Sequence, residues 1–262
     1  MRIAAGGLAM LAAGGTAQAA EMQEREDLTS AFQDQRVQGA FVLYDVTGNR
    51  IITVNGRRAE TRYAPASTFE IANNLIALET GVIKDDNEII PYGGKPQPFR
   101  QWQKDMSMRE AIALAATPID QELARRIGLP RYREWLEKLN YGNRETGSDV
   151  ETFWLEGPLQ ISAAEQAQFA AALALGKLPV SSHAQTIVRN LIKLEEKDGR
   201  TLYGKTGWAG INSGQQTGWW TGWVENDGKV GAFSLNIDID TVDDARKRQE
   251  IGKALLAKLG VY

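Results

Sequence analysis

Strand-forming sequence is confined to the two ends of this chain, and that placement limits its folds more than any other feature. Near the start, residues 39–55 read as two strands, AFVLYD and RIITVN, around the turn residues Thr47, Gly48 and Asn49. Near the end, residues 202–203, 217–225 and 230–239 read as strands, with Asn226, Asp227 and Gly228 signalling a hairpin between the last two. The interior is helical in pattern. Residues 69–79, 106–116, 120–127, 132–139, 162–175 and 184–195 read as helices, a polar helix is expected over 21–35, and a closing helix over 242–259. Strands at both ends around helices predict one α/β (α+β) domain over residues 21–262. Its antiparallel sheet is closed by both termini and flanked by helices, with an inserted helical lobe. A cleft between two such lobes is a usual place for a small-molecule site.

Charge and composition narrow the chemistry. Thirty Lys and Arg against 33 Asp and Glu give a net charge of −3 with no basic block, which argues against nucleic acid. The chain has no cysteine, so thiolate catalysis, Cys-ligated zinc and disulfides are excluded. A single histidine, His183, excludes a multi-histidine metal site, and it reads as a surface-loop residue. No metal and no cofactor is therefore expected. Arg2, the apolar residues 3–15 and the small-residue pattern Ala17-Gln18-Ala19 read as a secretory signal over residues 1–20, cleaved near Ala19 or Ala20. The expected product is exported and periplasmic, and no other apolar run of about 20 residues offers a membrane span.

Ser67 follows Pro65 and opens the apolar run that ends before Gly81. The unpaired amides of a first helical turn favour a negative charge developing nearby. A serine there is also an ordinary N-cap, and Ser67-Thr68-Phe69-Glu70 matches a capping box. Three further segments bear on that choice: Tyr141-Gly142-Asn143, the aromatic stretch from Phe153 to Ser162, and Lys205-Thr206-Gly207-Trp208 after a strand.

In this order, PASTF, QELARRIG, YGN, FWLEGPL and GKTGW resemble the class D serine β-lactamases, from Phe41 to Val261. The resemblance implies a serine β-lactamase/DD-transpeptidase-like fold and a β-lactam as the small-molecule partner. It implies Ser67 as the nucleophile, with an oxyanion hole made by its amide and that of Trp208 or Ala209. Lys205, Thr206 and Gly207 would border the substrate carboxylate together with Arg248, which has Arg246 and Lys247 as neighbours. Trp154 would hydrogen-bond the catalytic base.

The sequence departs from the family pattern at that base. The family carries a lysine carboxylated by carbon dioxide where this chain has Glu70. Its Ser-x-Val motif falls on Ala115-Ala116-Thr117, and Asp120 stands where an aromatic is expected. A glutamate ends roughly 3–4 Å short of the carbamate, at about 1.3–1.5 Å per bond. It could serve as a base through a bridging water, helped by desolvation beside Trp154. The expectation is a family member that binds β-lactams and is acylated at Ser67 but hydrolyses them poorly. Two alternatives stand: a working β-lactamase using Glu70 through a water, or Lys205, as base; and a non-catalytic sensor of β-lactams or cell-wall peptides. A homodimer is left open.

Overall fold

The computed structural model describes residues 20–211 and 214–262, so all but the last residue of the expected signal segment lies outside it. The strands are β1 (Glu21–Glu24), β2 (Gly39–Asp45), β3 (Arg50–Val54), β4 (Ile89–Ile90), β5 (Met106–Ser107), β6 (Lys193–Lys197), β7 (Arg200–Ala209), β8 (Thr217–Asn226) and β9 (Lys229–Asp238). The helices are α1 (Ser30–Gln33), α2 (Gly56–Ala59), α3 (Glu70–Glu79), α4 (Met108–Leu114), α5 (Thr117–Ile127), α6 (Leu129–Lys138), α7 (Ala163–Ala174), α8 (Ser182–Leu191) and α9 (Asp244–Lys258). Among the described residues, one sheet runs in the order β1-β3-β2-β9-β8-β7-β6 and is antiparallel except for the β1–β3 edge. The first strands of the chain thus pair with its last, β2 against β9, and the helices between them form the inserted lobe. No helix among the described residues is long and apolar enough to cross a membrane.

Four expectations need correction. The polar segment 21–35 is not one helix: Glu21–Glu24 adds to β3 as an exposed edge strand before the short α1. Residues 184–195 split, because the helix stops at Leu191 and Lys193–Lys197 pairs with β7; an exposed charged edge strand lacks the alternation that would mark it. Strand β7 is ten residues long, not two, so the Lys205-Thr206-Gly207 segment lies within a strand. His183 stands exposed in the first turn of α8, not in a loop.

The two faces of the sheet bury different cores. Alternation along β8 sends Trp219 and Trp223 to the face covered by α7 and the helical lobe, and Trp220 to the opposite face under α9. Helix α7 lies close on β2, β8 and β9 because alanines line its buried side. Helix α3 is buried from Glu70 to Ala77, so its polar residues Glu70, Asn73 and Asn74 sit inside the molecule.

Helix α9 is fastened at both its start and its middle. Asp244 Oδ2 accepts from Asp240 N–H at 3.1 Å and Thr241 N–H at 2.7 Å, while Lys247 Nζ stands 2.6 Å from Oδ1. With the lysine as the leading cause, the Asp244 carboxyl is lowered from 3.8 to about 2. Its folded value lies below its unfolded one, so its contribution is complete above about pH 4 and is lost as pH falls through about 2. Asp244→Asn should therefore cost about 1–2 kcal/mol at neutral pH and well under half of that at pH 2, read from denaturant unfolding at the two pH values. At Gly252, a Cβ would lie 2.3 Å from the Trp220 ring. Gly252→Ala should lose about 1–3 kcal/mol in the same assay.

Candidate active site

Ser67 lies in the 3-10 turn Ala66–Phe69 that leads into α3. Ala66, at φ 47°, occupies the left-handed region, which a non-glycine residue holds only when its surroundings fix it. Ala66 N–H donates to Trp154 O at 2.8 Å, Thr68 Oγ1 to Pro65 O at 2.7 Å, and Gln166 Nε2 of α7 to Thr68 Oγ1 at 2.6 Å. On its remaining side the turn abuts β7. A Cβ on Gly207 would stand 2.8 Å from Pro65 O and 3.1 Å from Thr68 N, so only glycine admits this approach. Strand β6 pairs with β7 no further than Tyr203, which leaves residues 205–209 to meet the turn.

The capping box expected from Ser67 and Glu70 does not form. The residue before α3 is Phe69 and no side chain caps that helix, whereas full capping boxes occur at Ser107–Glu110 and Ser162–Glu165. The 3-10 turn moves the helix start past the serine, and the Ser67 hydroxyl lies beside the Glu70 carboxylate instead.

Glu70 is 2% exposed and Lys205 7%. Lys205 Nζ stands 3.0 Å from Glu70 Oε2, off the line of a well-directed hydrogen bond, and donates to Thr206 O at 3.2 Å. Burial pushes the Glu70 carboxyl upward, opposed first by the Lys205 charge and then by the nearby Ser67 hydroxyl. Raising a buried carboxylate is what makes it a better acceptor for a hydroxyl proton.

The other expected residues divide. Arg248 is the one arginine at the site. Its guanidinium donates to Gly207 O and it is lowered to about 10 by burial, while Arg246 is exposed and Lys247 is committed to Asp244. Thr206 and Trp208 are half-buried on β7, Trp208 Nε1 donating to Gln216 Oε1 at 2.7 Å, and Ala209 pairs with Thr217. Trp154 is the correction. It is buried against Phe69 and Phe153 and its carbonyl holds Ala66, but its indole does not hydrogen-bond Glu70. The glutamate is too short to reach it and turns to Lys205. Ala115 ends α4 in the left-handed region and brings no hydroxyl. Asn143 braces the aromatic loop, its amide donating to Pro158 O at 2.8 Å, and Tyr141 packs on Phe69. Sequence reasoning missed Gln166 and Asn73, whose only signal was a polar residue on a helix face that is otherwise apolar.

A half-buried serine at a helix start is thus wedged against a strand that carries Lys-Thr-Gly, with the arginine of α9 beside it. Residues 16–257 match the penicillin binding protein transpeptidase domain. The chain is 39% identical over 248 residues to the β-lactamase OXA-5 of Pseudomonas aeruginosa, covering 94% of this chain and 93% of that protein. FUS-1 (OXA-85), a class D β-lactamase from Fusobacterium nucleatum subsp. polymorphum, superposes with a TM-score of 0.88 at 39% identity, over 91% of this chain and 99% of that one. The regulatory protein BlaR1 of Bacillus licheniformis is 30% identical over 91% of this chain, which spans 40% of its length. The chain belongs to the class D β-lactamase family.

Removing one partner of a buried ion pair strands the other charge. Lys205→Met should destabilise the fold by about 3–5 kcal/mol, and Glu70→Met with Lys205→Met should recover most of that loss, measured as a denaturation double-mutant cycle.

Proposed function

We propose that this protein is acylated by β-lactams at Ser67 and releases the acyl group slowly. The observation that carries this reading is the Ser67–Glu70–Lys205 arrangement. The hydroxyl lies beside a carboxylate whose affinity for protons is raised by burial. In the acylation step Ser67 Oγ forms a bond to the lactam carbonyl carbon while its proton passes to Glu70. The amides of Ser67 and of Trp208 or Ala209 are the donors for the resulting oxyanion. Cleavage of the carbon–nitrogen bond then returns that proton to the ring nitrogen, and Arg248 and Thr206 hold the substrate carboxylate. Deacylation asks more of the same base, which must activate a water against the ester. Glu70 is 2% exposed and pinned beside Lys205, and neither a Trp154 hydrogen bond nor a hydroxyl at Ala115 supports it. Loss of general-base help slows such a step by about 10²–10⁴. Export through the segment 1–20 belongs to the same reading.

Intact-protein mass spectrometry after incubation with a penicillin tests it. A persistent adduct of penicillin mass, absent from Ser67→Ala, is the expected result; steady substrate loss without an adduct would instead mean that Glu70 is a competent hydrolytic base. Arg248→Ala should lower the rate of adduct formation at low penicillin by about tenfold or more, the size expected when a charge-assisted hydrogen bond is lost.

A further inference from the structure

The site contains a second buried carboxyl that no motif explains. Asp120, in the first turn of α5, is 5% exposed. Its side-chain partner is Asn73 Nδ2 at 3.2 Å, and Asn73 sits one helical turn beyond Glu70 on α3. Asn73 Oδ1 is itself taken by the hydroxyl of Tyr132 from α6. A polar chain therefore runs Tyr132 to Asn73 to Asp120 and ties α3, α5 and α6 together inside an otherwise apolar cluster. No cation closes it. The ammonium nearest to hand, on Lys205, stands 3.0 Å from Glu70 Oε2.

We propose that Asp120 is a positioning residue for Glu70, present as a neutral acid, so that Lys205 is left undivided to the base. Two carboxyls and one ammonium share this buried space, and only one negative charge can be matched there. A carboxylate without a cation is costly in such surroundings, so one of the two carries a proton. Geometry assigns it to Asp120, whose side-chain partner is the neutral amide of Asn73, while Glu70 has the lysine at 3.0 Å. Burial, and then the charge of Glu70, push the Asp120 carboxyl well above its ordinary range, against the weaker pull of Lys205. Tyr132, deeply buried and raised by burial, stays a donor to Asn73. Helix α4 and strand β4, the other elements packed on α5, contribute Ile112 and Ile90 to the same cluster. When Asp120 does ionise, it repels the charge on Glu70 and competes for Lys205. Both effects raise the affinity of Glu70 for the Ser67 proton.

Infrared spectroscopy of the free protein tests the protonation without a β-lactam, and so separates this inference from the acyl-transfer reading on which its kinetic part rests. At pH 7 a protonated-carboxyl carbonyl band is expected, lost in Asp120→Asn and retained when Glu70→Met is combined with Lys205→Met, which leaves no ammonium to ionise Asp120. A band lost in that double variant and retained in Asp120→Asn, or no band in the wild type, overturns the assignment. In the kinetic arm, penicillin adduct formation should rise severalfold from neutral to alkaline pH in the wild type. Asp120→Asn, which keeps a neutral acceptor for Asn73, should match the wild-type rate within twofold at pH 7 and lack the alkaline rise. An unchanged rise in Asp120→Asn would remove Asp120 from the control of Glu70. Absence of any adduct in both proteins would count against the acyl-transfer reading and leave the infrared result to decide the protonation.

Discussion

The approach of the Ser67 turn to β7 at Gly207 is the constraint on which the rest of the site depends. It brings a helix start and a strand from opposite ends of the chain closer than a side chain would allow. Everything chemical follows from that distance. Lys205 can meet Glu70 because their segments touch, and Arg248 reaches the site by donating to the carbonyl of the same glycine. The short edge strand β6 matters for the same reason, since a longer one would occupy the face of β7 that the turn needs.

Within that frame, the short reach of Glu70 sets the placement of the polar groups. Its carboxylate falls back on Lys205 and leaves the Trp154 indole to packing. The lysine is then matched, and a second carboxyl in the same pocket has no counter-ion. Ala115 brings no hydroxyl to this part of the molecule, and Asp120 brings a second buried carboxyl.

Much of this was legible in the sequence because strong local signals agreed with the fold. The hairpin at Asn226, Asp227 and Gly228 formed between β8 and β9, and the strand alternation placed Trp219 and Trp223 apart from Trp220. The segments around Ser67 and Lys205 did converge. What the sequence concealed were effects of tertiary context. Ser67 looked like a cap because the pattern of a capping box does not reveal a 3-10 turn that shifts the helix cap from Ser67 to Phe69. Lys193–Lys197 looked like the end of a helix because a polar edge strand has no buried face to mark it. Asn73 lay inside an apolar helix with no partner visible nearby, since Asp120 and Tyr132 are 47 and 59 residues away in sequence.

Helix α9 serves two masters. Its Gly252 is the floor under Trp220, its Asp244 ties it to the end of the sheet, and its Arg248 supplies the guanidinium at Gly207. A substitution that tilts this helix to improve packing therefore also moves a binding group, and one selected for a new ligand also perturbs the core. The aromatic loop carries the same double duty on its side of the turn, since Trp154 O holds Ala66 while the Trp154 ring packs on Phe69.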